Sequence, residues 1–309
     1  MIRTIIRRWP LVLAALLGAL AQTGCAIDDD RDICCNNTLM EFKYIPYGIE
    51  ELTSYIHSFR HLVFDAEGRF VCEILHDGDL HRQRFDLPEG DYTMISLGNA
   101  DQELAFDASD HTLRSLEMEL VSRSGEGCYM NADELFWGVC PMHIGKGNNN
   151  RFVTYMNNIH CHLHIKVMWY NMPNDVGDYR MELSQVPVGY ALDPERSYTI
   201  NDKILPADNG MRATHVQLVP LKAQELQTEF ITLRYGDDSI PVFRLWFGER
   251  PVTNAIDLSR AFRTWGWRPS ATAVQEYRIQ LTIYSNGTVE VKPWIDADVE
   301  DWQNGGTFS

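Results

Sequence analysis

The sequence predicts an all-β protein, two β-sandwich domains in tandem behind an export leader. Three observations predict it. Apolar and polar residues alternate with period two in segment after segment, turn residues punctuate the chain about every eight to twelve positions, and helical periodicity is confined to two short stretches. A parallel α/β sheet would need long helical patterns between its strands, and these are missing.

The leader comes first. Arg3, Arg7 and Arg8 form a positive segment ahead of an apolar run from Trp9 to Ala21, which is too short to cross about 30 Å of hydrocarbon and reads as an export signal. Gly24 stands directly before Cys25, the arrangement at which a bacterial lipoprotein signal is cut and the new terminal cysteine acylated. Gln22 occupies the position three before the cysteine where leucine is usual, with Leu20 and Ala21 close by. The bland alternative is ordinary secretion with Cys25 lost or disulfide-bonded. An acidic run from Asp28 to Asp32 follows, suited to a mobile polar tether. The expected layout is therefore a signal peptide over 1–24, a lipidated Cys25 and tether over 25–36, and sandwiches over 37–149 and 150–309.

Charge narrows the partners. The chain carries 27 Lys and Arg against 43 Asp and Glu, a formal charge of −16. Three of those arginines lie in the leader, so the mature chain is more acidic still and would be repelled by a nucleic-acid backbone. Of the seven cysteines, Cys25 is assigned to lipid. Cys34, Cys35, Cys72, Cys128, Cys140 and Cys161 remain as disulfide candidates of undetermined pairing. Neighbouring Cys34 and Cys35 sit too close along the chain to bond each other readily, so at least one is expected to tie the N-terminal segment to the body. With no Cys-x-x-Cys pair, structural zinc is not expected.

The elements follow in order. Phe42 to Tyr47 suggests a first strand closed by Pro46 and Gly48, and Glu50 to Phe59 a short helix. Leu62 to Asp65 and Arg69 to Ile74 read as a hairpin that sets Phe70, Cys72 and Ile74 on one face, with Cys72 buried. Arg84 to Leu87 leads through the Pro88-Glu89-Gly90-Asp91 turn into a strand from Tyr92 to Asn99. Leu116, Met118 and Leu120 alternate with Glu117 and Glu119, the mark of a strand with one wet face. Gly145 to Asn150 is the most linker-like stretch and marks the expected domain boundary, with the last strand of the first domain free to lie on either side of it. Beyond it, Ile159 to Trp169 is the most regular strand, with Cys161, Leu163, Ile165, Val167 and Trp169 on one face and His160, His162, His164, Lys166 and Met168 on the other. Further strands are expected around 179–183, 214–219, 230–235 and 242–247, with a second short helix over Ala255–Arg263. A hairpin turning at Asn286-Gly287 joins Ile279–Ile283 to Thr288–Val291.

Three of these segments carry a resemblance. The hairpin FDAEGRFV at 64–71, then LPEGDYTMISLGNA at 87–100 and DELFWGV at 133–139, in that order behind a lipoprotein signal, are similar to the FimB-type family of fimbrial anchor and accessory lipoproteins. The similarity is clearest over 25–170, and Lys292-Pro293-Trp294 also fits. The resemblance implies two transthyretin-like sandwiches in tandem, an anchor or accessory subunit of a Bacteroidales type V fimbria, and assembly with shaft subunits by β-strand addition. It also implies attachment to the outer membrane through Cys25, with the Asp28–Asp32 run resembling a surface-export signal.

Chemistry is sparse. There is no Gly-x-Ser-x-Gly elbow, phosphate-binding loop, dinucleotide fingerprint, His-Glu-x-x-His or alternating-Asp calcium loop, and no enzyme activity or cofactor is expected. His160, His162 and His164 fall about 7 Å apart per step on one strand face, the way a strand would present imidazoles to a metal. No carboxylate or further histidine lies within a few residues, so the plainer outward-face reading is preferred and no metal site is expected. Trp265 and Trp267, with Trp294 and Trp302 nearby in sequence, supply the alternative function, an exposed platform on which sugars stack.

Overall fold

The computed structural model describes residues 37–76, 78–100, 104–105, 112–121, 128–146 and 150–295. Cys25, Cys34, Cys35, the acidic run and everything from residue 296 lie outside these residues. The first part of the chain supplies β1 (Thr38–Lys43), α1 (Leu52–Tyr55), β2 (Phe59–Asp65), β3 (Phe70–Leu75), β4 (Arg82–Phe85), β5 (Gly90–Gly98), β6 (Leu104–Ala105), β7 (Glu117–Leu120), β8 (Cys128–Tyr129) and β9 (Phe136–Ile144). Next come β10 (Asn150–Tyr155), β11 (Asn157–Asn158), β12 (His160–Trp169), β13 (Asp178–Pro187), β14 (Gly189–Ala191), β15 (Tyr198–Ile200), β16 (Lys203–Leu205) and β17 (Ala207–Asp208). The last part holds β18 (Arg212–Pro220), β19 (Glu225–Leu233), β20 (Val242–Phe247), β21 (Arg250–Pro251), β22 (Ile256–Asp257), α2 (Leu258–Thr264), β23 (Gln275–Ile283) and β24 (Val289–Pro293).

The all-β expectation holds. In the first sandwich a three-stranded sheet, β10-β1-β4, faces a five-stranded sheet, β11-β9-β5-β2-β3. Met40, Phe42, Val63, Met94, Phe136 and Met142 fill the space between them. The five-stranded sheet is covered on its other face too, by β17-β14-β7-β6. Leu62, Phe64, Ile95, Leu97 and Trp137 meet Leu116, Met118, Tyr190 and Leu192 there. Burial on both faces explains why Leu62-Val63-Phe64 is a continuous apolar run where a half-wet strand would alternate. Each large apolar side chain buried in this way stabilises by about 1.5–3 kcal/mol.

The second sandwich pairs a sheet ordered β19-β12-β23-β24 with one ordered β21-β20-β13-β18-β8, with β22 beside β20. Cys161, Leu163, Ile165, Val167 and Trp169 turn into its core, as the alternation predicts, against Met181, Leu183, Phe243, Leu245, Ile279 and Leu281. The hairpin at Asn286-Gly287 forms as expected, with Leu281 opposite Val291 and Gly287 at φ 80°, a conformation glycine adopts without a Cβ clash.

Several expectations change in detail. The strand straight after Gly145–Asn149 is β10, and it pairs in parallel with β1 from Thr38↔Asn150 to Lys43↔Tyr155. The first sandwich therefore draws strands from both sides of the boundary expected after residue 149. β14 and β17, from still later in the chain, cover it as well. The helix expected over 50–59 shrinks to α1, because Phe59 already pairs with Gly98 as the first residue of β2. The helix expected over 255–263 starts at Leu258, where the Asp257 side chain accepts the Ser259 N–H at 3.0 Å and caps it. Cys72 is half-buried rather than buried, because β3 is the outermost strand of its sheet among the described residues.

One buried cation sits where the two sandwiches meet. Arg234, 2% exposed, donates to the carbonyls of Ala273 at 2.7 Å and Asn158 at 3.4 Å, and to that of Thr272. Its own N–H is taken by the Tyr190 hydroxyl, which in turn donates to the Ile159 carbonyl. Main-chain carbonyls take up both terminal nitrogens of the guanidinium, while its Nε is buried without a partner.

Candidate functional site

Two features of the β19-β12-β23-β24 sheet could meet a partner, its edges and its outer face. At one edge, the segment before β9 covers the middle of β19. The Asn131 side chain accepts the Ile231 N–H at 3.1 Å and donates to the Glu229 carbonyl at 3.0 Å. Ala132 N–H donates to the Ile231 carbonyl at 2.8 Å. Gln217 fixes the Asn131 carbonyl oxygen from the other side at 2.8 Å.

The other edge is different. Trp294 N–H donates to the Arg278 carbonyl at 2.9 Å, which sets the register so that Glu290 and Lys292 point their main-chain groups at β23. Val289, Val291 and Pro293 then turn theirs outward. Among the described residues no strand pairs with that outer side of β24. Pro293 has no N–H to leave unpaired, so the open row is chiefly that of Val289 and Val291. Beyond it Ile295 is exposed, and the chain runs on into residues 296–309.

The outer face carries the histidines. His160 is buried despite its outward register, with Nδ1 at 2.9 Å from the Leu135 carbonyl and Nε2 at 2.9 Å from the Asn158 amide. Burial pushes its pKa down to about 3, so it stays neutral. His162 and His164 are more open. His162 Nδ1 lies 2.5 Å from Glu229 Oε1, and the same oxygen is 3.5 Å from His164 Nε2. Glu134 Oε1 stands 3.6 Å from His162 Nε2, and Glu276 Oε1 3.7 Å from His164 Nε2. Burial holds His164 below the usual imidazole range, with Glu229 opposing that shift and Arg278 adding to it.

These glutamates are what the sequence reading missed. Glu229 lies 67 positions from His162, and only the antiparallel pairing of His164 with Glu229 brings it alongside. Pairing β12 with β19 on their alternation would have found it.

The tryptophans expected to form a sugar platform are half-buried where the structure describes them. Trp265 and Trp267 meet edge to face at 4.8 Å, and Trp267 stacks on Tyr277 at 5.0 Å, both rings packed against the second core. Trp294 lies beneath Lys166 Nζ at 5.4 Å. No tryptophan among the described residues is exposed, because Phe262 and Tyr277 offer apolar faces that water does not. Trp302 lies outside those residues. Cys140 and Cys161 are buried thiols and Cys72 a half-buried one, and burial pushes all three up.

Comparison with known proteins reads the same architecture. Residues 31–300 match the family model for Mfa2, the fimbrillin-A associated anchor proteins Mfa1 and Mfa2. The chain belongs to this anchor family. No curated protein matches it in sequence. Its fold is similar to that of a putative adhesin from Bacteroides ovatus, with TM-score 0.65 and 15% identity over 84% of this chain and 94% of that one. A putative polysaccharide-binding protein from Bacteroides thetaiotaomicron gives 0.62 at 14% identity, over 85% and 99%. The fimbrial anchor protein Mfa2 from Porphyromonas gingivalis gives 0.55 at 14% identity, over 83% and 97%. Membership of the anchor family places the chain among structural proteins of the cell surface. Among the described residues no helix is long and apolar enough to cross a membrane.

Proposed function

We propose that this protein is a non-enzymatic outer-membrane lipoprotein that anchors a fimbria or serves it as an accessory subunit. It is held to the membrane through acylated Cys25 and joined to shaft subunits by β-strand addition at the β24 edge. The observation that carries the reading is the match of residues 31–300 to an anchor family, in a chain whose leader ends at Gly24-Cys25. Several acyl chains on one cysteine, each buried CH₂ contributing about 0.8 kcal/mol, hold a protein firmly where a single chain binds marginally. The bridge expected from Cys34 or Cys35 to the body would keep the tether close to the first sandwich. Cys72 and Cys128, both half-buried, are the partners most open to it.

The geometry of β24 supports strand addition. Its outward N–H and C=O groups form a template for an extended segment, and the chain leaves that strand as a tail carrying Val299, Trp302 and Phe308 among acids. Deleting residues 296–309 and substituting Val291→Pro test the two ways the locus can work. Loss of co-purification with fimbriae on deletion alone means the tail is lent. Loss on Val291→Pro alone means the edge receives a strand. A lower melting temperature on deletion means the tail completes its own sandwich. If both variants melt normally and still co-purify with fimbriae, strand addition at β24 is wrong, and the edge at β3 is the place to look.

A further inference from the structure

Two neighbouring imidazoles on β12 and a carboxylate from β19 converge on one point of the outer face of the second sandwich, with further carboxylates around them. We propose that His162, His164 and Glu229 bind one divalent first-row transition ion, zinc in type, with a fourth position open to solvent. Neither the anchoring role nor the strand edge requires this site.

The donor set argues for the ion's class. Two imidazole nitrogens and one carboxylate oxygen suit zinc, nickel, cobalt or copper, whereas calcium and magnesium prefer all-oxygen sites. The geometry fits as well. The three ligand atoms lie within 4.8 Å of one another, and a tetrahedral ion with bonds of about 2.0–2.2 Å separates its ligands by about 3.3 Å. Glu229 Oε1, at 2.5 Å from one nitrogen and 3.5 Å from the other, brackets that separation. Small side-chain rotations close the rest. The frame is stiff, because β12 is paired on both sides, with β19 and with β23.

A supporting shell is present. Metal-bound histidines almost always donate their second N–H to a carboxylate, a carbonyl or water, and Glu134 stands 3.6 Å from His162 Nε2. With the ion on Nδ1, an N–H on Nε2 would face Glu134. Glu276, bonded to Arg278 at 3.0 Å, lies beside His164 and leaves carboxylates in excess around the ion. His160 is excluded as a ligand, since the Leu135 carbonyl and the Asn158 amide already occupy both its nitrogens. The competing account is a plain His162–Glu229 hydrogen bond with no ion, and experiment separates the two.

The full chain, purified without a histidine tag and stripped with EDTA, is titrated with Zn²⁺ by calorimetry. One ion per chain is expected. His164→Gln and Glu229→Gln should each weaken binding by at least about a hundredfold, beyond the roughly 10- to 100-fold range for a supporting residue such as Glu134, tested as Glu134→Gln. His143→Gln, which removes an imidazole paired with Asp91 at 2.7 Å, should change nothing. Zinc-edge X-ray absorption on the wild type, which depends on no variant folding, should show scattering from two imidazole rings and no sulfur. Absence of saturable binding, sulfur ligation, or binding unchanged in both His164→Gln and Glu229→Gln overturns the proposal.

Discussion

The two edges of the β19-β12-β23-β24 sheet are built from strands of similar character and end differently. At β19, Asn131 and Ala132 occupy the Ile231 N–H and the carbonyls of Ile231 and Glu229, so that stretch of the edge is already paired. At β24 no described strand covers the outward groups of Val289 and Val291. The difference teaches that this fold spends side-chain hydrogen bonds to seal one side while leaving the other free, and an edge left unsealed is where a neighbouring chain can dock.

Acid gives the largest expected effect and sets a baseline that involves neither edge. His61 is buried and hydrogen-bonded to Ser96 and His76 at 3.0 Å each, and burial, with His76 adding to it, pushes it down to about 3. Burial pushes His215 down to about 4. In the unfolded chain both protonate near 6.5. Below that pH the unfolded state gains protons that the folded state refuses, so stability is full above about pH 6.5 and falls as the pH drops towards 3. Thermal unfolding should lose several kcal/mol between pH 7 and pH 4, and His61→Gln should flatten the curve. A melting temperature independent of pH over that range would contradict the assignment.

Proline substitution then sharpens the contrast between the edges. Lys292 donates inward to β23, so Lys292→Pro removes a ladder bond and should cost about 3 kcal/mol. Val291 faces outward, and Val291→Pro should cost under about 1 kcal/mol. At the sealed edge, Asn131→Ala strips hydrogen bonds from Ile231 and Glu229 and should cost about 2 kcal/mol. Urea unfolding of the three variants measures this order. Equal costs for Lys292→Pro and Val291→Pro would mean that β24 has covered groups on both sides.

Much of this was legible in the sequence. The alternation from Cys161 to Trp169 gave β12 its inward face, and Asn286-Gly287 gave the final hairpin, because both signals are local. The sheet buried on both faces was harder to read, since Leu62-Val63-Phe64 declares burial without naming what covers it. The cover comes from β7, β14 and β17, brought in by topology. Cys72 read as buried because alternation reports the face of a strand and says nothing of its place in the sheet. Trp265 and Trp267 read as a platform because composition cannot distinguish an exposed ring from one stacked on Tyr277. The glutamates around His162 and His164 come from Glu134, Glu229 and Glu276, on three separate segments, so no window along the chain could assemble them.

The central claim is that this protein fixes a fimbria to the cell through Cys25, and fractionation of cells carrying Cys25→Ser tests it most directly. The account predicts that the variant leaves the outer membrane or fails to be processed, that mass spectrometry finds acyl chains on wild-type Cys25, and that assembled fimbriae appear in the medium instead of on cells. Variant and wild type partitioning identically, with fimbriae retained on cells and no lipid on Cys25, would contradict it.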